Sequence, residues 1–410
     1  MMNNKITIAD GYKNSKVGVI PLDWEIVKLL EISKITMGQS PSSESYNDKK
    51  IGTPLIQGNA DCKNRKTLPR NYTTEKTKEC FIGDIIMTVR APVGAISNSL
   101  HNACIGRGVC AIKSKSNNKF LYHFLVDCEK RWEKYSQGST FTAVNSKDVK
   151  NLKIPLPPLK EQQKIAEFLT TWDEAISMQN DLIKAKEELK KGLMQKLLSG
   201  EVRFDGFVGE WKEVRLKEVL KSNKLGGNYK NSLEISNNPL IKMGNIKRGQ
   251  INIKKIEYIL NKEPLINEHL IKYGDLFFNT RNTLDLVGKV AIWRNELDRA
   301  FYNSNLMKLV FNEKIESNFF MNYLFNTEKV LVKLKSYATG TTSVAAIYTK
   351  DLLNLKIKLP PLQEQQKIAE VLSNTDKEIE LLKNELDALK EQKKGLMQKL
   401  LSGEIRVKNA

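Results

Sequence analysis

Two stretches of the chain carry a strict helical rhythm of apolar positions. From Lys160 to Ser199, and again from Gln363 to Ser402, there is no proline, and Leu and Ile recur in steps of four and three among Glu, Lys and Gln. That spacing is one stripe of an α-helix, and Pro-Pro before each run and Ser-Gly at its end supply the expected punctuation. The spacing predicts two helices, each roughly 60 Å long at ~1.5 Å per residue. In the second run the stripe reads Ile368, Leu372, Thr375, Ile379, Leu382, Leu386, Leu389, Lys393, Leu396 and Leu400. The first keeps Ile165, Leu169, Trp172, Ile176, Ile183, Leu193 and Leu197 but places Gln179, Lys186 and Lys190 in the seam. A helix this long is marginal without partner packing, and matched heptad seams pair. The two are therefore expected to lie together, antiparallel, since each must return to its own domain. Gly192 and Gly395 interrupt good helix at ~1 kcal/mol each; they read equally as marks of close helix contact or a bend, and as tolerated glycines near a fraying end.

Elsewhere the apolar runs are short and β-prone, cut by Gly, Asn and Pro: "PLIQGN" at Pro54, "GDIIMTVR" at Gly83, "GAIS" and "VCAIKS". One helix is expected over "NKFLYHFLVDCEKRWEKYS" and another over "ESNFFMNYLFNTEKVLVKLKS". The chain also repeats itself. "NLKIPLPPL" at Asn151 returns as "NLKIKLPPL" at Asn354, and "KKGLMQKLLSGE" recurs without change at Lys190 and Lys393, all at an offset of 203 residues. A fixed length between drifting residues is what a structural spacer needs. Fainter echoes lie upstream, Trp24 with Trp211, "PLIQGN" with "PLIKMGN", and "GDIIMTVR" with "GDLFFNTR" at Gly274. The expected fold is α+β: two pseudo-repeated domains separated by two long antiparallel helices forming a coiled coil. The boundaries read as 1–155 and 201–358 for the domains, 156–200 and 359–404 for the helical spacers.

Charge sharpens this picture. The chain has 66 Lys+Arg against 47 Asp+Glu, a formal +19, yet the two helical runs together balance to near zero, so the surplus lies on the domains. Two cationic domains on a neutral spacer point to double-stranded DNA rather than to an anionic membrane surface. No window has the apolar length of a membrane span and the N-terminus lacks a signal-peptide core, so a cytoplasmic location is expected. The five cysteines are odd in number and irregularly spaced, which argues for buried thiols over a disulfide framework or a metal cluster at His101, Cys104 and Cys110.

Phosphates need cations at flexible reach; base edges need planar donors, Arg for guanine and Asn or Gln for adenine. The first domain offers Lys63 and Arg65 for the former and Gln57, Asn59 and Arg90 for the latter; the second offers Lys242, Lys247 and Arg248, with Asn245 and Arg281. A Gly-Ser/Thr loop precedes each spacer, presenting Ser139 and Thr140 in one copy and Thr341 and Thr342 in the other. Catalytic patterns are missing. "GNIKRGQ" fails as a phosphate loop at the lysine, both Pro-Pro pairs read Leu-Pro-Pro-Leu rather than a methyltransferase tetrad, and Glu-x-Lys triplets at Glu188 and Glu391 fall inside the helices. No metal site is expected.

Two basic domains, each followed by "LPPLxEQQKIAE" and a long helix ending "KGLMQKLLSGE", resemble the specificity subunit of type I restriction-modification systems. The resemblance covers essentially the whole chain. It implies a non-catalytic reader in which each target recognition domain binds one half of a bipartite asymmetric site and the helices dock two modification subunits. Those partners, with restriction subunits, would hold S-adenosylmethionine, ATP and Mg; this chain would bind none of them. The recognition residues are not inherited from the resemblance, because these domains vary within the family.

Overall fold

In the computed structural model, residues 9–132, 143–315 and 317–407 are described. They form two compact units, one containing the chain up to Asn180 together with the segment from Asn384 onward, the other Asp181–Lys383. The long helices run unbroken over Leu159–Ser199 and Leu362–Ser402, 41 residues each, so each unit holds half of both.

The two units repeat one topology. In the first, a six-stranded sheet runs in the order Ser33–Met37, Val109–Ser114, Ile85–Thr88, Ile96–Asn98, Lys66–Thr67, Cys62–Lys63. The second has the same leading order in four strands, Leu220–Leu225, Leu306–Phe311, Leu276–Asn279 and Val290–Ile292. A second sheet in each contains one parallel pair, Thr53–Ile56 with Ala103–Ile105 in the first unit and Pro239–Ile241 with Phe301–Tyr302 in the second. The strand before each long helix pairs with the strand that opens its domain: Lys153–Leu156 with Glu25–Lys28, and Lys356–Leu359 with Lys212–Arg215. The upstream echoes in the sequence thus mark equivalent strands. The expected helix at Asn318 is two helices, Asn318–Phe325 and Glu328–Ser336, parted at Asn326–Thr327. Its first-unit counterpart spans Asn118–Asp127.

Helix pairing is antiparallel in each unit. In the first, Ile165 and Leu169 share a core with Met397, Leu400 and Leu401 and with Trp24, Phe120 and Phe124 of the domain. In the second, Leu197 and Leu198 pack with Ile368 and Leu372 against Phe320 and Leu324. The polar seam residues are not defects: each meets a carboxylate of the opposite helix. Gln179 donates to Glu385 (3.0 Å) in the first unit; Lys186 pairs with Glu378 (2.6 Å) and Lys190 with Asp376 in the second. Such pairs fix register where an apolar seam alone would slide.

The residues shared by both copies at the helix starts close each unit. Gln162 and Gln365, nearly buried, donate their side-chain amides to the carbonyls of Pro157 (2.8 Å) and Pro360 (3.0 Å). Glu364 receives the fork of Arg203 (2.9 and 2.7 Å), and Glu161 that of Arg406 (2.8 and 2.9 Å) as well as the indole N–H of Trp24 (3.0 Å). The glycine ending each "KLLSG" takes φ +76°, and a Cβ on Gly403 would stand 2.5 Å from Pro21. Gly192 and Gly395 differ. A Cβ at either meets nothing within 4 Å and the helices continue through them, so neither marks close helix contact. Gly192→Ala and Gly395→Ala are each expected to stabilise the chain by about 0.5–1 kcal/mol through helix propensity, read as a rise in the denaturation midpoint.

Each domain is keyed to the helices by one repeated contact. His123 lies 3.7 Å from Asp173 and 3.3 Å from the Thr170 hydroxyl, while Lys393 of the other helix reaches Asp173 at 2.5 Å. In the second unit Tyr323 donates to Asp376 (2.6 Å) beside Ser373, and Lys190 completes the set. Burial holds the His123 imidazole down at about 4 despite Asp173, so the folded state keeps it neutral. Unfolded, it protonates near its ordinary 6.5. Stability is therefore undiminished above pH 6.5 and falls as pH drops from there towards 4. His123→Tyr, copying the second unit, is expected to flatten that slope, measured by denaturation at pH 7 and pH 5.

Four cysteines are buried and Cys62 half-buried, all free. Burial pushes the Cys110 thiol up to about 12. Among the described residues no metal-binding group of His, Cys, Asp or Glu occurs, and no helix is long and apolar enough to cross a membrane.

Candidate nucleic-acid interface

In the first unit the ends of three strands converge. The strand Thr53–Ile56 runs out at Gln57, its parallel neighbour at Gly106, and Ile85–Thr88 at Arg90. Between them lies a cleft of about 310 Å³ lined by Ser40, Gln57, Gly58, Asn59, Arg90, Arg107 and neighbouring backbone. Close approach of the loops requires glycine: a Cβ on Gly108 would stand 2.1 Å from the Gln57 carbonyl oxygen, and one on Gly38 2.1 Å from that of Gly106. Arg107, between two glycines, is held by its backbone N–H on the Ser40 hydroxyl (3.2 Å). Buried Asp61 fixes the opposite wall, accepting from the Gln57 N–H (2.8 Å) and from Arg70 (3.0 Å). Among the described residues the lining holds two guanidinium forks, two side-chain amides and a hydroxyl, with no carboxylate.

Gln57, Asn59 and Arg90 are thus brought together. Arg107 and Ser40 were missed; the signal was the Gly-Arg-Gly inside "HNACIGRGVC", a segment whose cysteines drew attention to thiol chemistry instead. Lys63 is exposed on the hairpin Cys62–Thr67, outside the cleft. Arg65, expected to contact phosphate, has its fork on Glu129 (2.6 and 2.9 Å) and so braces that hairpin. Ser139 and Thr140 lie outside the described residues.

In the second unit Arg281 is exposed and occupies the position of Arg90. Arg90 bridges Ala143 and Arg281 pairs with Ala346, partners 203 residues apart. The following residues, Val144 and Ile347, each donate at 3.0 Å to the carbonyl just before the arginine. The loop ahead of each spacer is therefore laced to an arginine-bearing strand end. Thr341 and Thr342 are exposed in that loop; the Thr341 hydroxyl accepts from the Val344 N–H (3.2 Å), and the Thr342 carbonyl from Leu284 (3.1 Å).

Two second-unit candidates serve the fold. Asn245 is buried, its amide donating to the carbonyls of Asn252 and Lys255 (2.9 Å each) while its oxygen accepts from the Lys242 N–H (2.9 Å). It does for this turn what Asp61 does in the first unit, so it cannot offer an amide to adenine. Lys242 is half-buried and neutralised by Glu257 (2.9 Å). Lys247 and Arg248 stand exposed at the tip of the hairpin Ile246–Ile251.

The domain model "Type I restriction modification DNA specificity domain" matches residues 21–188 and 209–391, one copy for each repeat. The chain belongs to this type I specificity family. A type I specificity subunit of Methanocaldococcus jannaschii, MjaVIII, is 28% identical over 95% of both chains. The putative MjaX subunit of the same organism is 40% identical, over 47% of this chain and 46% of its own. The S subunit structure from M. genitalium superposes with a TM-score of 0.58, at 18% identity over 97% of this chain and 99% of that one. As a type I specificity subunit the chain is a non-catalytic, DNA-recognising component, built from two specificity domains and two long helices.

Proposed function

We propose that each unit reads one half of a bipartite, asymmetric site on duplex DNA, and that the paired helices dock two modification subunits. The observation carrying this reading is the equivalence of Arg90 and Arg281, each laced to the loop ahead of its own spacer. Both lie on cationic domains whose loops differ in their readers, so two different half-sites are expected. The helices present "KKGLMQKLLSGE" twice, with Gly192 and Gly395 facing open space; a partner that recognises this surface finds it in two equivalent places. Methyl transfer to adenine, with S-adenosylmethionine, and ATP- and Mg-dependent cleavage by restriction subunits fall to the partners.

The test is to sequence methylated adenines in cells carrying the chain, and in cells where residues 24–150 have been exchanged for another reader's domain. Half of the methylated motif is expected to change and the other half to persist. Changes in both halves, or in neither, would refute the division of labour. Methylation or cutting by the purified chain alone, given DNA, Mg, ATP and S-adenosylmethionine, would point instead to a fused enzyme.

A further inference from the structure

The hairpin Ile246–Ile251 folds its tip onto the strand Val290–Ile292: the Gly249 N–H donates to the Val290 carbonyl (2.8 Å) and Gly249 bridges Ala291. That docking sets Lys247 and Arg248 beside Lys289, the residue just before the strand. Lys289 is only 8% exposed. A lysine whose stem is this covered ordinarily finds a carboxylate for its ammonium. Here the charges acting on Lys289 among the described residues are Lys247 and Arg248, and burial with these two cations pulls its pKa down. The carboxylate of Asp285, whose backbone oxygen Arg248 reaches at 3.4 Å, is turned out to Lys335 (3.3 Å). Among the described residues no acid acts on Lys289, so its counter-charge is free to come from outside.

We propose that Lys247, Arg248 and Lys289 bind one phosphate of the DNA backbone in the second unit, an inference that rests on the DNA reading above. A tetrahedral anion can offer separate oxygens to converging donors, whereas a base edge would leave like charges pressed together. The placement suits a positioning contact. Lys289 ends the segment that also carries Arg281, and Leu284 in that segment bonds the Thr342 loop, so a phosphate held here sets the register of the exposed readers beside it.

Lys289→Met tests this in the full-length chain, since methionine keeps the reach and removes the charge. DNA affinity is expected to fall for every sequence alike. The slope of log affinity against log salt should become shallower by about 0.9, so that between 50 and 200 mM salt the wild type loses about 3.5-fold more affinity than the variant. Base preferences should be unchanged, the melting temperature should not drop, and Lys289→Arg should restore the slope. An unchanged salt slope, or a lost preference at one base position, would overturn the site. Were inorganic phosphate at matched ionic strength to raise the melting temperature of the wild type but not of Lys289→Met, with the DNA slope untouched, the site would belong to a free anion and the assignment to DNA would fall. Wild-type protein lacking any sequence-selective binding would sink the DNA reading itself, an outcome distinct from a selective wild type whose slope Lys289→Met leaves alone.

Discussion

Arg406→Ala is expected to destabilise the first unit by about 3 kcal/mol while leaving the second unit's unfolding unchanged. The guanidinium of Arg406 bonds both oxygens of Glu161 and both of Asp23, the latter at 2.9 and 2.6 Å. The Glu161 side chain is 7% exposed, and removing one partner of a buried pair leaves an uncompensated charge, which costs about 3–5 kcal/mol. Trp24 remains as a donor, which sets the lower end of that range. The double variant Glu161→Gln/Arg406→Ala, with no charge left to strand, is expected to be more stable than Arg406→Ala alone. Denaturant-dependent amide exchange, read separately for the two units, checks both statements. A double variant no more stable than the single would mean that Arg406 acts by packing on Trp24, over whose ring its guanidinium lies at 5.9 Å.

The second large effect concerns recognition. On the proposed bipartite reading, Arg90→Ala and Arg281→Ala are each expected to relax base preference at one position, in different half-sites, by about 1–3 kcal/mol, a factor of roughly 5 to 150. Both side chains are exposed, so little loss of stability should accompany the change. Selection from a randomised duplex library by each variant, compared with wild type, measures it. A uniform drop in affinity with intact preferences would make these arginines phosphate contacts instead.

Much of the framework could be read from the chain because it is written locally. The helices begin within a residue of the expected positions since Pro-Pro and an apolar stripe are properties of short windows, and the upstream echoes marked equivalent strands. What escaped depends on partners far along the chain. Asn245 looked like a base reader until its amide was found spanning to Asn252 and Lys255, and Arg65 like a phosphate contact until Glu129, 64 residues on, took its fork. The shared Glu161 and Glu364 read as ordinary first-turn acids, yet their arginines are 245 and 161 residues away. Lys289 escaped for the opposite reason. Its significance is that, among the described residues, only cations act on it, which no pattern of neighbours in sequence can reveal.

The first unit is completed by residues beyond Asn384, where Met397, Leu400 and Leu401 enter its core and the Gly403 carbonyl accepts from the Tyr12 hydroxyl (3.0 Å). The second unit is one continuous stretch. During synthesis, therefore, the part made first must wait with its apolar surface open while the part made later folds ahead of it. A ribosome halting between Lys383 and Met397 would release a chain whose damage shows at its beginning, in the core of the domain translated long before the stop.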